Sequence, residues 1–210
     1  MALIRRTPPL GVPGRARSDR RNSVVAIALA IAIAIAIAIA SAGEGVVMSA
    51  ALCSTVVDSP VGALTIVASD AGVRAVLWPD DDPSRVRLPD SLDDPSHPVI
   101  AAAAAQLDEY FAGTRTTFDV PLDPVGTEFQ RAAWDALRTI PYGVTVSYGD
   151  QADRMGDRRK ARAVGAANGR NPISIIVPCH RVVGANGSLT GFAGGVDTKA
   201  WLLAHEQPAP

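Results

Sequence analysis

The sequence predicts an α/β domain followed by a mainly α domain, with the boundary near Val125. Short strand-like runs bounded by turn residues fill the stretch from Leu52 to Trp78. Helical spacing dominates from Thr127 onward. Charge changes sign between the two: residues 48–125 carry 4 basic and 12 acidic side chains, and residues 126–210 carry 10 basic and 7 acidic. An acidic half joined to a basic half suits a protein that turns one face to a polyanion, although the formal net charge of the whole chain is only -1.

Residues 1–47 stand apart. Six arginines against Asp19 occupy residues 1–23, and VVAIALAIAIAIAIAIA follows at residues 24–40. A basic stretch before an apolar one has the pattern of a signal peptide or an anchor, with the basic end held in the cytoplasm. As a helix these 17 residues reach about 26 Å, short of a hydrocarbon core of ~30 Å. The strict Ile-Ala alternation also reads as a translated nucleotide repeat upstream of the natural start, and Met48 directly precedes the first strand-like run. We expect residues 1–47 to be a mis-assigned start and the protein to be cytoplasmic; a membrane anchor and a cleaved signal are the alternatives.

The runs CSTVV, ALTIVAS and VRAVLW are separated by Ser59-Pro60-Val61-Gly62 and Asp70-Ala71-Gly72, which predicts a three-stranded antiparallel meander. Pro79–Pro98, rich in Asp, Pro and Ser, reads as a solvated loop. Val99–Phe111 is alanine-rich, with Ile100, Leu107, Tyr110 and Phe111 as its large apolar residues, and predicts a helix. Thr116–Val125 returns to extended structure, and Pro121 and Pro124 make it a linker.

Thr127-Glu128-Phe129-Gln130 opens the second part with a capping box. Phe129, Ala132, Ala133, Ala136, Leu137 and Ile140 then recur at helical spacing until Pro141-Tyr142-Gly143. After extended Val144–Val146, Ser147 is positioned to cap a helix running through Met155. Gly156-Asp157 makes a turn, and Arg158–Asn168 forms a second helix bearing Arg158, Arg159, Lys160 and Arg162. This pair resembles a helix-turn-helix, an arrangement also common in proteins that never touch DNA.

Chemistry concentrates between Asn171 and Gly184. The two cysteines, Cys53 and Cys179, lack the spacing of a Cys-rich zinc site or a disulfide framework, although a single bridge is possible by count. Ile175–Val177 is an apolar run that delivers Pro178 and then Cys179, flanked by His180 and Arg181. A buried strand end presenting a thiol beside two potential cations suits a nucleophile, because a thiol of pKa about 8.5 needs help to ionise at neutral pH. Taken singly, an inert core cysteine, a structural histidine and a surface arginine are the plainer readings. The contiguous string favours the nucleophile.

Pro178-Cys179-His180-Arg181-Val182 resembles the active-site signature of the O6-alkylguanine-DNA alkyltransferases, the methylated-DNA–protein-cysteine methyltransferases. Further matches stand in that family's order: Asp58-Ser59-Pro60-Val61-Gly62, Val146-Ser147-Tyr148-Gly149, Ala161-Arg162-Ala163-Val164-Gly165, Asn171-Pro172, Gly194-Gly195 and Lys199-Ala200-Trp201-Leu202-Leu203-Ala204-His205-Glu206. The resemblance spans about residues 50–206. It implies an N-terminal ribonuclease H-like α/β domain over residues 48–125. It also implies a mainly α, winged-helix-like (helix-turn-helix) domain over residues 126–207. The implied function is DNA repair by irreversible, stoichiometric transfer of an alkyl group from O6-alkylguanine, and also O4-alkylthymine, to Cys179 after the nucleotide flips out of double-stranded DNA.

Roles follow from the same resemblance. Cys179 attacks the alkyl carbon, and His180 acts on it through a water, oriented by the Glu206 carboxylate. Tyr148 donates a proton toward the departing purine. Arg162 fills the gap left by the extruded base. Arg159, Lys160, Arg181 and Phe192 join it on the DNA side, as does Asn171, which also holds the active-site turn. No cofactor, no metal and no stable protein partner are implied, and the chain is expected to be a monomer. Cys53 stands alone where some relatives carry a structural zinc set. Phe192 and Ala193 depart from members that carry hydroxyl-bearing residues there.

Three other readings explain less. A cysteine peptidase or acyltransferase built on Cys179, His180 and Glu206 leaves Arg162 and Tyr148 unexplained. A dedicated helix-turn-helix regulator leaves the Pro-Cys-His-Arg string idle and lacks the cysteine-rich domain such regulators use. A noncatalytic lesion binder replaces the nucleophile, whereas Cys179 is present.

Two outcomes are expected. The N-terminal peptide of the native protein begins after residue 47; one beginning before Val24 overturns the mis-assigned start. The ratio of transfer rates on methyl and benzyl substrates changes on Phe192→Tyr; identical ratios would refute the expectation that Phe192 alters tolerance of bulky alkyl groups.

Overall fold

Alternation along the first strands sets the sheet. In the computed structural model, which describes residues 51–207, β1 (Leu52–Val57), β2 (Leu64–Ser69) and β3 (Gly72–Leu77) form the antiparallel meander. Leu64, Ile66 and Ala68 of β2 point into the main core. Val67 points to the other face, where Leu52, Ala75, Val86 and Leu88 cover it. The Ile-Ala segment lies outside the described residues. Among those described, no helix is long and apolar enough to cross a membrane.

Two expectations about the loop Pro79–Pro98 change. It contains a strand, β4 (Ser91–Asp93), which pairs parallel with β1 and completes the order β3-β2-β1-β4. Leu92 is 65% exposed, so no apolar pattern announced the strand. Its hold on β1 is backbone pairing plus a bond from Ser91 Oγ to Ser54 Oγ of 2.8 Å. Nor is the loop solvated throughout, since Val86 and Leu88 pack on the sheet and Arg85 pairs with Asp81 at low exposure.

Helix α1 (Pro98–Phe111) buries Ile100, Ala103, Leu107 and Tyr110, a spacing that keeps them on one face against the sheet. The extended segment after it is tied to the edge of β3: Val73 N–H donates to Pro121 O (2.8 Å), and Asp123 N–H donates to Val73 O (2.8 Å). Further along the same edge, Val76 N–H donates to Pro172 O at 2.9 Å. One strand edge therefore receives both the linker and the chain that leads to Cys179.

Helix α2 (Glu128–Arg138) starts at the Thr127 capping box, with Gln130 N–H bonded to Thr127 Oγ1 and Thr127 N–H to Gln130 Oε1. A second box, Ser147 with Asp150, starts α3 (Tyr148–Arg154) directly after the short strand β5 (Val146–Ser147). The single helix expected over Arg158–Asn168 is divided. Asp157 caps a 3-10 turn at Arg158–Lys160 through Arg159 N–H, and α4 (Ala161–Gly169) begins after it. Gln151 of α3 joins the helices by exchanging amide bonds with Asn168 of α4, at 2.7 and 3.2 Å, and by donating to Ala133 O of α2. Each buried amide group is thereby satisfied. A 3-10 turn at Cys179–Arg181 leads into β6 (Val182–Val183), parallel to β5, and α5 (Val196–His205) follows.

Candidate active site

Residues 171–182 are all buried, and their turns are stapled by one side chain. Asn171 Oδ1 accepts from Ile173 N–H (3.1 Å), while its Nδ2 donates to Val177 O (2.8 Å) and to Cys179 Sγ (3.2 Å). Ile175 adopts φ 72, a left-handed conformation that a β-branched residue enters only under constraint. Trp78 Nε1–H donates to Ser174 Oγ at 3.2 Å, and Arg85 donates to Asn171 O, so the N-terminal half braces the turn from behind. Cys179 therefore opens a 3-10 turn; the strand end expected from its apolar approach does not form. Both cysteines are free thiols.

The turn also separates the two neighbours of Cys179. The cation expected beside the thiol at Arg181 faces away from it. Arg181 is buried, with its Nε and Nη2 on the two oxygens of Glu206 (2.8 and 2.9 Å) and its Nη1 on Ile140 O (2.6 Å). This commitment removes Arg181 from the residues available to DNA. Asn171, 1% exposed and occupied with the turn, is removed likewise. The positive charges that act on Cys179 are instead Lys199 and Arg85. Sequence reasoning missed both in that role; the signal for Lys199 was its place in a matched segment.

Glu206 follows α5 and is 1% exposed. Its Oε1 accepts from His180 Nε2 (2.8 Å), Arg181 Nη2 (2.9 Å) and the Tyr110 hydroxyl (2.9 Å). Its Oε2 accepts from Arg181 Nε (2.8 Å) and Gly143 N–H (3.0 Å). Burial works against its ionised form, but the His180 and Arg181 donors outweigh it and bring its pKa down to about 2. The carboxylate thus holds His180 with its proton on Nε2. His180 Nδ1 is buried and has no hydrogen-bond partner among the described residues, which leaves it able to accept a proton.

Burial pushes the Cys179 thiol up, against the Asn171 donor and the Lys199 and Arg85 charges. Burial also pulls His180 below its ordinary 6.5, against Glu206. The resting pair is therefore a neutral thiol and a neutral imidazole. Tyr148, half-buried at the start of α3, donates to Thr190 O at 3.2 Å, and its pKa is raised, first by burial. Lys199 Nζ shares that carbonyl at 2.9 Å and also donates to Val182 O at 2.7 Å. Phe192 meets Trp78 edge-on at 5.4 Å and His180 at 6.5 Å. Gly194 lies so close to the Trp78 ring that an added Cβ would stand 2.7 Å from it.

The basic residues of the helix pair lie on the surface. Arg162 is exposed and makes no salt bridge among the described residues, Lys160 is exposed, and Arg159 pairs with Asp157 at 2.9 Å. Among the described residues no group of three or more His, Cys, Asp or Glu is placed to hold a metal ion.

Comparison with known proteins matches both halves of the chain. Residues 52–124 match the family model described as 6-O-methylguanine DNA methyltransferase, ribonuclease-like domain, and residues 128–208 match the DNA binding domain of the same description. A methylated-DNA–protein-cysteine methyltransferase of Mycolicibacterium paratuberculosis is 50% identical over 153 residues, covering 72% of this chain and 90% of that protein. One from Methanosarcina acetivorans is 46% identical, covering 71% and 94%. The crystal structure of Mycobacterium tuberculosis OGT in complex with DNA is similar at TM-score 0.66 and 47% identity, covering 74% of this chain and 91% of that one.

The buried carboxylate generates a pH dependence of stability. Glu206 contributes fully above its ordinary 4.5 and loses that contribution as pH falls toward about 2. His180, held neutral by burial, also favours unfolding as pH falls below 6.5, because the unfolded chain takes the proton first. Denaturant unfolding across pH should show stability falling through both windows. Glu206→Gln should cost about 3–5 kcal/mol at neutral pH and flatten the lower window; an unchanged slope there would contradict the assignment.

Proposed function

The chain belongs to the methylated-DNA–protein-cysteine methyltransferase family, whose chemistry is DNA repair by alkyl transfer to a protein cysteine, and we propose that Cys179 is that cysteine and O6-alkylguanine its substrate. The observation that supports this reading is a donor on the thiol and a free acceptor on the next residue: Asn171 Nδ2–H donates to Cys179 Sγ, and His180, fixed by Glu206, keeps Nδ1 without a partner among the described residues.

In this reading His180 takes the thiol proton through a water, and Sγ attacks the alkyl carbon as the bond from that carbon to O6 breaks. The electron pair stays on the guanine, which gains a proton from the Tyr148 phenol. The phenolate is then reprotonated, so the proton lost by the thiol balances the one gained by the base. The product is a thioether. No hydrolytic step removes it, and each molecule acts once. O4-alkylthymine offers the same leaving-group chemistry and falls within the substrate class.

A base inside a duplex cannot expose its O6 substituent to a buried thiol, so the nucleotide must rotate out. Exposed Arg162 near the start of α4 suits the vacated stack, with Arg159 and Lys160 nearby on the phosphates and Phe192 on the pocket wall. Pairing of β5 with β6 beside α3 and α4 supports a winged-helix-like reading of the DNA-binding half, residues 126–207, after a domain of residues 48–125. The protein acts in this reading as a cytoplasmic monomer without cofactor, on double-stranded DNA.

Intact mass after incubation with a duplex containing O6-methylguanine tests the assignment. A gain of a single methyl group is expected on the Cys179 peptide, absent from Cys179→Ala. No gain in protein that still binds the lesion would indicate binding without transfer. No gain and no binding would return the hydrolytic reading.

A further inference from the structure

One contact to the Glu206 carboxylate comes from the other half of the chain. Tyr110, on α1, is fully buried, and its hydroxyl donates to Glu206 Oε1 at 2.9 Å across 96 residues of sequence. This is the same oxygen that receives His180 Nε2. We propose that Tyr110 is a positioning residue for alkyl transfer, holding Glu206 in the orientation that presents His180 Nδ1 to the thiol. The proposal rests on the roles assigned above to Cys179, His180 and Glu206.

Tyr110 is itself held rigidly. Its ring packs edge-on against Phe111 (5.3 Å), Tyr142 (6.2 Å) and His205 (5.2 Å), and its backbone carbonyl accepts from His205 Nε2 at 2.7 Å. A phenylalanine would fill the same space without a buried hydroxyl to satisfy. Among the described residues the hydroxyl donates to one acceptor, the oxygen that anchors the imidazole.

Its effect on the proton transfer follows from charge. When His180 takes the thiol proton, the new positive charge lies along Nε2–H toward Oε1. Tyr110 draws electron density from that oxygen and moderates its pull on the imidazolium. The other groups facing the pair are Arg181, Lys199 and Tyr142, with Cys179 beside them, and all are retained in Tyr110→Phe. Without the phenol, Oε1 holds the imidazolium more strongly, so His180 protonates at higher pH and its basic form is lost earlier on acidification. The carboxylate also loses one of three bonds on that oxygen and with it some orientation.

Single-turnover transfer from an O6-methylguanine duplex, followed against pH, tests this in the full chain. Tyr110→Phe should slow the rate constant at saturating DNA about tenfold, the size of one hydrogen bond to a charged group. The acid limb should move up by about half a pH unit, with lesion affinity unchanged. Ser91→Ala, which loses an exposed hydroxyl bond to Ser54 Oγ on the sheet edge, should keep the wild-type rate and limb. Tyr110→Phe with a lower melting temperature but wild-type rate and limb would make the contact merely structural and overturn the proposal, as would equal shifts in both variants. Cys179→Ala separates the two levels: if transfer survives in it, the active-site assignment fails and this proposal with it. If transfer maps to Cys179 while Tyr110→Phe is silent, Tyr110 alone is refuted.

Discussion

A single buried carboxylate organises the molecule. Glu206 at 1% exposure is tolerable only because five donors meet it, from Tyr110, Gly143, His180 and twice from Arg181. Removing a carboxylate from water costs several kcal/mol even after relaxation, and partial satisfaction recovers too little. The helix of the N-terminal half, the loop after α2, the Cys179 turn and the end of α5 must therefore all arrive together. The geometry of His180 is a consequence of that requirement.

The turn carrying the thiol depends on a different support. Ile175 at φ 72 and the short hydrogen-bonded turns around it are held by Asn171 from within and by Val76, Trp78 and Arg85 from behind. Strain of this kind persists only where neighbours over-determine it. The sheet edge at β3 thus does more than complete a core, because the backbone of the active-site approach pairs with it.

These two supports explain a thiol that rests uncharged. Burial dominates at Cys179 and at His180, each pushed toward its neutral form. Glu206 and Arg181 neutralise one another beside them. In the proposed mechanism, activation is then a proton transfer inside the site, set off when an alkylated base provides an acceptor for the electrons of sulfur. A resting thiolate would expose a reactive centre in every unoccupied molecule. The neutral pair avoids that.

The strands of the meander, the Thr127 capping box, the Ser147 N-cap and the helix predicted over Val99–Phe111 were legible by themselves, because alternation and capping are local properties. Strand β4 was not, since its three residues are all exposed and it exists through backbone pairing with β1. The helix predicted over Arg158–Asn168 failed at its first turn, where Asp157 won the backbone donor of Arg159. Arg181 read as a cation beside the thiol, and only folding revealed that it serves Glu206, because side-chain direction in a 3-10 turn is decided by distant partners. Lys199 was marked only by its place in a matched segment, and Tyr110 read only as an apolar residue of its helix. Their partners lie 17 and 96 residues away, and tertiary structure alone brings groups so separated to one carboxylate and one carbonyl.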